Sequence, residues 1–205
     1  LSMVTMKVYY IMVNYIPNYI MILIRISQLK DKIKILFDSY HLYHLPQFEP
    51  LIDLLKDDDM FEIFHSTSNE IPKQEFELCV SILKKKPGVL ITANSEAERQ
   101  NKIHNLDLDF FICGWSRYDI DKYVSRKTIV GMIYHGIGIK PSYWLDNHHR
   151  LDIRFVEGEY RVQQLKQNGV KTRLAITGFM KLDPIFQKNK IDTNAIRKKY
   201  NLDPD

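Results

Sequence analysis

From Lys32 onward the chain alternates short apolar runs with stretches whose apolar residues recur three and four positions apart. Seven runs have the length and continuity of buried strands: "KIKILFDSY" (32–40), "MFEIFHST" (60–67), "GVLITA" (88–93), "LDLDFFICG" (106–114), "TIVGMIYHG" (128–136), "LDIRFVEG" (151–158) and "KTRLAITG" (171–178). The stretches between several of them have helical period. "PQFEPLIDLLKDD" (46–58) opens on proline and brings Phe48, Leu51, Ile52 and Leu55 to one face. "PKQEFELCVSILKKK" (72–86) does the same with Phe76, Cys79, Val80 and Leu83, and Pro87-Gly88 ends it. "NSEAERQNKIHN" (94–105) starts from an Asn or Ser cap with glutamates in its first turn, and "EYRVQQLKQNG" (159–169) closes on Asn-Gly. Strands separated by helices of this length predict right-handed crossovers and a Rossmann-like α/β domain, a parallel sheet with helices on both faces, over residues 29–187.

The two ends break this rhythm. Residues 1–28 are dominated by Ile, Met, Tyr and Val, carry no acid, and are interrupted by Asn14, Pro17 and Asn18. They fall short of the roughly 20 continuous apolar residues of a spanning helix, and no small-residue cleavage site marks a secretory signal. Three readings stand: a membrane-surface segment, a weak transmembrane anchor, or translated sequence upstream of a start at Met21. Residues 188–205, "KNKIDTNAIRKKYNLDPD", are polar with one short helical stretch, and read as a linker toward a further domain.

Composition narrows the classes. The 205 residues are 45% hydrophobic and 26% charged with a net charge of +4, which suits a globular domain with phosphorylated substrates or an anionic membrane surface and is too weak a basic balance to call for nucleic acid. Cys79 and Cys113 stand alone with no CxxC or Cys/His cluster, so neither a disulfide framework nor a metal site is expected, and the cytoplasm is the default compartment.

In an open parallel sheet ligands bind beyond the carboxyl ends of the strands. Asp38, Ser39, Tyr40, His41 and His44 follow the first strand, His65 to Ser68 the second, and "HGIGIK" (135–140) the fifth. In that last stretch Gly136 and Gly138 remove Cβ atoms and let backbone amides approach an anion, Lys140 adds a point charge, and the His135 imidazole is suited to general-base work. A glycine turn whose histidine bonds the backbone accounts for the same residues, so the local pattern leaves both readings open. The spacing is neither GxxxxGK[ST] nor GxGxxG. Trp115, Tyr143 and Trp144 flank the segment, placed to stack on a sugar or lipid or to pack in the core. His148-His149 reads as a solvated loop and Lys84 to Lys86 as a charged helix end.

The stretch from Lys127 to Phe186 resembles the CDP-glycerol glycerophosphotransferases, the teichoic-acid primases and polymerases. Their acceptor-side domain has a strand ending in Trp-His-Gly-Thr-Pro-Leu-Lys; this chain has Tyr134-His135-Gly136-Ile137-Gly138-Ile139-Lys140, with His, Gly and Lys in register. Downstream, "ITGFMKLDPIF" is similar to the family's Gly-Tyr-Pro-Arg-x-Asp turn at Gly178, Phe179, Lys181 and Asp183. Ile137-Gly138 stands where the family has Thr-Pro, and Met180 replaces the turn proline. The resemblance covers about the last 80 residues by motif and the first half by topology alone.

The resemblance implies the N-terminal, acceptor-side half of a GT-B type two-domain enzyme whose CDP-donor site lies mainly in a C-terminal domain, so that this chain alone is expected to be inactive. It implies His135 as the catalytic base. Gly136, Gly138, Lys140, Gly178, Lys181 and Asp183 would contact phosphate or substrate, and His41, His44 and Trp144 would stand on the acceptor side. It implies CDP-glycerol as donor, a lipid-linked polyol-phosphate or glycan as acceptor, no cofactor or metal, and a peripheral position at the cytoplasmic face of the membrane. Two alternatives stand beside it: another GT-B enzyme, such as a sugar transferase or nucleotide-sugar epimerase, and a non-enzymatic domain that binds a phosphorylated ligand.

Overall fold

A computed structural model describes residues 32–116, 118–138, 140–145, 149–186 and 192–202. The apolar segment 1–28, most of the flanks of the closing linker and His148 lie outside these residues. All seven expected strands are present: β1 (Ile33–Asp38), β2 (Phe61–Ser66), β3 (Val89–Ile91), β4 (Phe110–Cys113), β5 (Ile129–Ile133), β6 (Ile153–Val156) and β7 (Arg173–Ile176). They pair in the order β3-β2-β1-β4-β5-β6-β7, every pairing parallel. This is the strand order of a Rossmann-like sheet.

Alternation along the strands sorts their side chains onto two faces. Ile35, Phe37, Ile63, Phe110, Ile112, Ile133 and Phe155 meet α1 (Leu45–Leu55) and α2 (Lys73–Leu83) through Phe48, Leu51, Ile52, Leu55, Cys79 and Leu83. Leu36, Phe64, Phe111, Cys113, Val130 and Val156 meet α3 (Glu96–His104) and α4 (Glu159–Gln167) through Ile103 and Leu165. Helices therefore cover both faces, and the apolar face expected of α1 is the one that is buried. Burying each such side chain contributes about 1.5–3 kcal/mol, so the stripes and not helix propensity decide where the helices dock.

The helix ends follow their local chemistry. Ser95 caps α3 by accepting from the Glu98 amide at 3.2 Å. At the end of α4, Gly169 adopts φ +77° and the Val170 amide bonds back to the Leu165 carbonyl at 3.0 Å, a Schellman turn. Two further helical pieces close the described chain, α5 (Asp183–Phe186) and α6 (Thr193–Tyr200). Among the described residues no helix is long and apolar enough to cross a membrane.

Two crossovers show no α-helix among the described residues. Between β4 and β5 there is a single 3-10 turn, Ile120–Lys122, and between β5 and β6 another, Pro141–Tyr143. Glycine at 136 and 138 and proline at 141 deny the second crossover a helix. These two loops, with the β1–α1 turn, stand at the point where the chain reverses its direction of strand addition, between β1 and β4. In this class of sheet that point opens a crevice.

Candidate functional site

Three strand ends build the crevice. β1 ends at Asp38, and the chain turns through a 3-10 turn, Leu42–His44, directly into α1. His41 is held on one side of that turn: its Nδ1 lies 3.0 Å from Glu75 Oε1, which also accepts the Leu42 amide at 3.2 Å. His44 is fully buried. Its Nδ1 accepts the His41 amide at 3.5 Å, so the proton sits on Nε2, which has no hydrogen-bond partner among the described residues. Burial, reinforced by the nearby His135 and His41 rings, drives its pKa down to about 2, and the imidazole is neutral.

Gly114 directly follows β4, and this glycine has a steric task. A Cβ there would lie 2.6 Å from His44 Cγ, so only a bare backbone lets the His44 ring seat against it. The Gly114 carbonyl then faces β5, where His135 Nδ1 lies 2.9 Å away. A carbonyl can only accept, so Nδ1 carries the proton and Nε2 holds the lone pair. Nε2 lies 3.3 Å from the Tyr143 hydroxyl. The His135 ring is 4.9 Å from His44 and 5.1 Å from Tyr43, centre to centre.

Around His135 is an open cleft of about 140 Å³. Trp115, Tyr134 and Tyr143 form aromatic walls, Ser116 and Ser142 contribute hydroxyls, and Lys140 stands exposed at the rim. An aromatic wall with a few convergent polar groups and one cation is the make-up of a small-ligand site. Chemically it offers a basic nitrogen of fixed tautomer, a positive charge for an anionic substituent, and hydroxyl partners for a polyol or sugar.

The loop bearing Lys140 is tied from below. Fully buried Arg154 donates to the Tyr134 hydroxyl at 3.0 Å, which donates in turn to the Tyr143 carbonyl at 3.0 Å. Arg161 on α4 donates to the Gly138 carbonyl at 2.9 Å and to Glu157 at 2.8 Å, and its guanidinium lies over the Tyr143 and Trp144 rings at 5.6 and 5.7 Å.

The residues expected from sequence thus separate. His135 and Lys140 share the cleft, and His44 stands behind His135 as a buried support. The space over Gly136 and Gly138 is occupied by the Tyr143 ring: a Cβ would meet its hydroxyl at 2.9 Å and its ring at 2.4 Å respectively. The glycines therefore make room for a tyrosine in this structure. Trp144 packs on the core and faces Arg161, away from the cleft lining. Gly178 (φ +82°), exposed Lys181 and buried Asp183 follow β7, where the 3-10 turn Met180–Leu182 packs against α1; none of the three lines the cleft.

The strand-end residues Asp38, Ser66 and Ser68 belong to a buried polar network whose centre, Arg99, the sequence pattern did not single out. Asp38 accepts from Arg99 at 2.7 Å, Ser66 at 2.7 Å and Tyr118 at 2.5 Å. Glu96 accepts from Arg99, Tyr123, Ser68 and the Asn69 amide. Burial would raise the Glu96 carboxyl, but Arg99 and Tyr123 outweigh it and hold the pKa below the usual range. Burial likewise opposes charge on Arg99, and Asp38 and Glu96 overcome it, so the guanidinium stays firmly protonated. Burial and the Asp38 charge push the Tyr118 phenol far up. The available signal was Arg99 four residues before buried Ile103, a polar residue on an apolar face. The network fixes residues 118–123, on the loop that begins with the cleft residues Trp115 and Ser116. Among the described residues no three His, Cys, Asp or Glu side chains gather as metal ligands.

Compared with family models and with curated proteins, the chain gives no match.

Proposed function

We propose that this chain is the acceptor-side half of a GT-B type glycerophosphotransferase, moving glycerol phosphate from CDP-glycerol to a hydroxyl of a lipid-linked polyol-phosphate or glycan acceptor. The observation that carries the reading is His135, with Nδ1–H held by the Gly114 carbonyl and Nε2 in a cleft at the sheet's switch point, beside Lys140. In this reading Nε2 takes the proton of the acceptor hydroxyl as its oxygen attacks the donor's β-phosphorus. The bond from that phosphorus to the bridging oxygen breaks, and CMP leaves with the electron pair. Lys140 steadies phosphate charge, since phosphoryl transfer depends on positioning and electrostatics. The acceptor's lipid places the reaction at the cytoplasmic membrane surface, to which the +4 net charge is suited. The aromatic walls suit the apolar face of an acceptor ring.

One observation favours a second reading, a phosphorylated-ligand binding domain without catalysis: the Tyr143 hydroxyl stands at the nitrogen that a base must present to substrate. Incubation of this half joined to its donor-binding domain with CDP-[14C]glycerol and membrane acceptor separates the readings. Acceptor-dependent CMP release with label passing to lipid-linked product is expected for the transferase. Saturable binding of glycerol phosphate without CMP release supports the binding domain, and turnover of a nucleotide sugar in place of CDP-glycerol supports a different GT-B enzyme.

A further inference from the structure

We propose that Tyr143 is the positioning residue of His135: its hydroxyl donates to Nε2 while the Gly114 carbonyl accepts from Nδ1, and the two contacts fix one neutral tautomer with its basic nitrogen toward the cleft. The inference rests on the reading of His135 as a base.

Three observations carry it. The phenol oxygen lies 3.3 Å from Nε2, and on binding an acceptor hydroxyl takes its place on that one lone pair. The chain is shaped to this side chain, because a Cβ at Gly136 would fall 2.9 Å from its hydroxyl and a Cβ at Gly138 2.4 Å from its ring. The ring is also clamped: it stacks on Tyr134 at 5.8 Å and 30°, its own carbonyl accepts from Tyr134, and Arg161 covers it at 5.6 Å. A phenylalanine would satisfy the stacking, the clamp and the close approach at Gly138, whereas the space left at Gly136 goes to the hydroxyl. That hydroxyl is the atom placed against Nε2.

Other titratable and charged groups also stand around His135. His44 lies 4.9 Å away, neutral and fully buried; Tyr43 lies 5.1 Å away and stacks in turn on His41; Lys140 stands at the rim of the same cleft. None changes on removal of the Tyr143 hydroxyl. A donor to Nε2 favours the neutral imidazole, so losing it raises the His135 pKa and loosens the tautomer. The phenol oxygen also marks the direction from which an acceptor hydroxyl reaches Nε2.

The test is 15N and 13C NMR of labelled histidine in the full chain, with His135 assigned by loss of its signals in His135→Gln. In the wild-type chain the expected signature is a neutral His135 protonated at Nδ1. In Tyr143→Phe the expected result is an unchanged unfolding midpoint with the His135 pKa raised by about half a unit to one unit, the worth of one modest hydrogen bond. An identical His135 titration in wild type and Tyr143→Phe overturns the proposal. So does a wild-type His135 protonated at Nε2, which needs no variant to fold. These readouts do not depend on turnover: a transferase test that fails leaves them standing, and their failure leaves the role of His135 as base to be judged by transfer alone.

Discussion

His44 is an imidazole kept from water and from hydrogen-bonding neighbours at Nε2, next to the histidine that carries the proposed chemistry. Leaving such a donor unsatisfied costs about 1–3 kcal/mol, and it brings a pH signature. The folded pKa is about 2 against an ordinary 6.5, so below 6.5 the unfolded chain binds a proton that the folded chain refuses. Stability is then complete above about pH 6.5 and falls by about 1.4 kcal/mol for each further unit of acid. His65 is also held down by burial and adds to the slope in the same direction. Glu96, whose pKa is depressed, contributes stability that is lost only further down, as pH falls through its folded value. Urea midpoints measured from pH 7.5 to 5 should therefore drop steadily, and the drop should be smaller in His44→Gln; a flat profile over that range would mean that His44 titrates freely. At this scale the sequence made His135 and Lys140 visible, because both lie at the end of one apolar run. It showed Tyr143 only as a flanking aromatic and hid Gly114, because their roles depend on contacts with His135 and His44, set by how separate crossovers converge.

The elements were legible where a period repeats. Every strand is a short apolar run, and α1 buries the four residues that its 3.6-residue spacing selects. The crossovers from β4 to β5 and from β5 to β6 were less so, because their single 3-10 turns leave no periodic trace. These are also the segments that line the cleft. Their shape depends on a few anchors, of which Arg161 is the clearest: it joins α4 to the Gly138 carbonyl and covers Tyr143 and Trp144. Replacing it by leucine keeps the buried stem and removes the fork. Amide hydrogen exchange in residues 136–145 should then rise by about tenfold or more, the equivalent of one charged hydrogen bond, while exchange in the strands stays at wild-type rates. Unchanged protection of that loop would show that Arg161 does not hold it.

On the scale of the whole molecule, the parallel order β3-β2-β1-β4-β5-β6-β7 decides where chemistry can occur. It brings the β1 turn, Gly114 after β4 and His135 after β5 to one crevice, although they are far apart in sequence. Behind that crevice Asp38, Arg99 and Glu96 lock β1, β2 and α3 together with the loop that follows β4. A rigid scaffold carrying mobile-length loops is the usual way that a Rossmann-like sheet presents a site, and the fold by itself does not name the reaction. The role proposed for His135 as base is tested most directly by the rate of CDP-glycerol-dependent transfer in the two-domain protein, wild type and His135→Ala, with folding checked by circular dichroism and unfolding midpoint. A fall of about 10²–10⁴-fold in His135→Ala with the fold intact is expected; transfer at the wild-type rate by a folded His135→Ala protein would contradict this role.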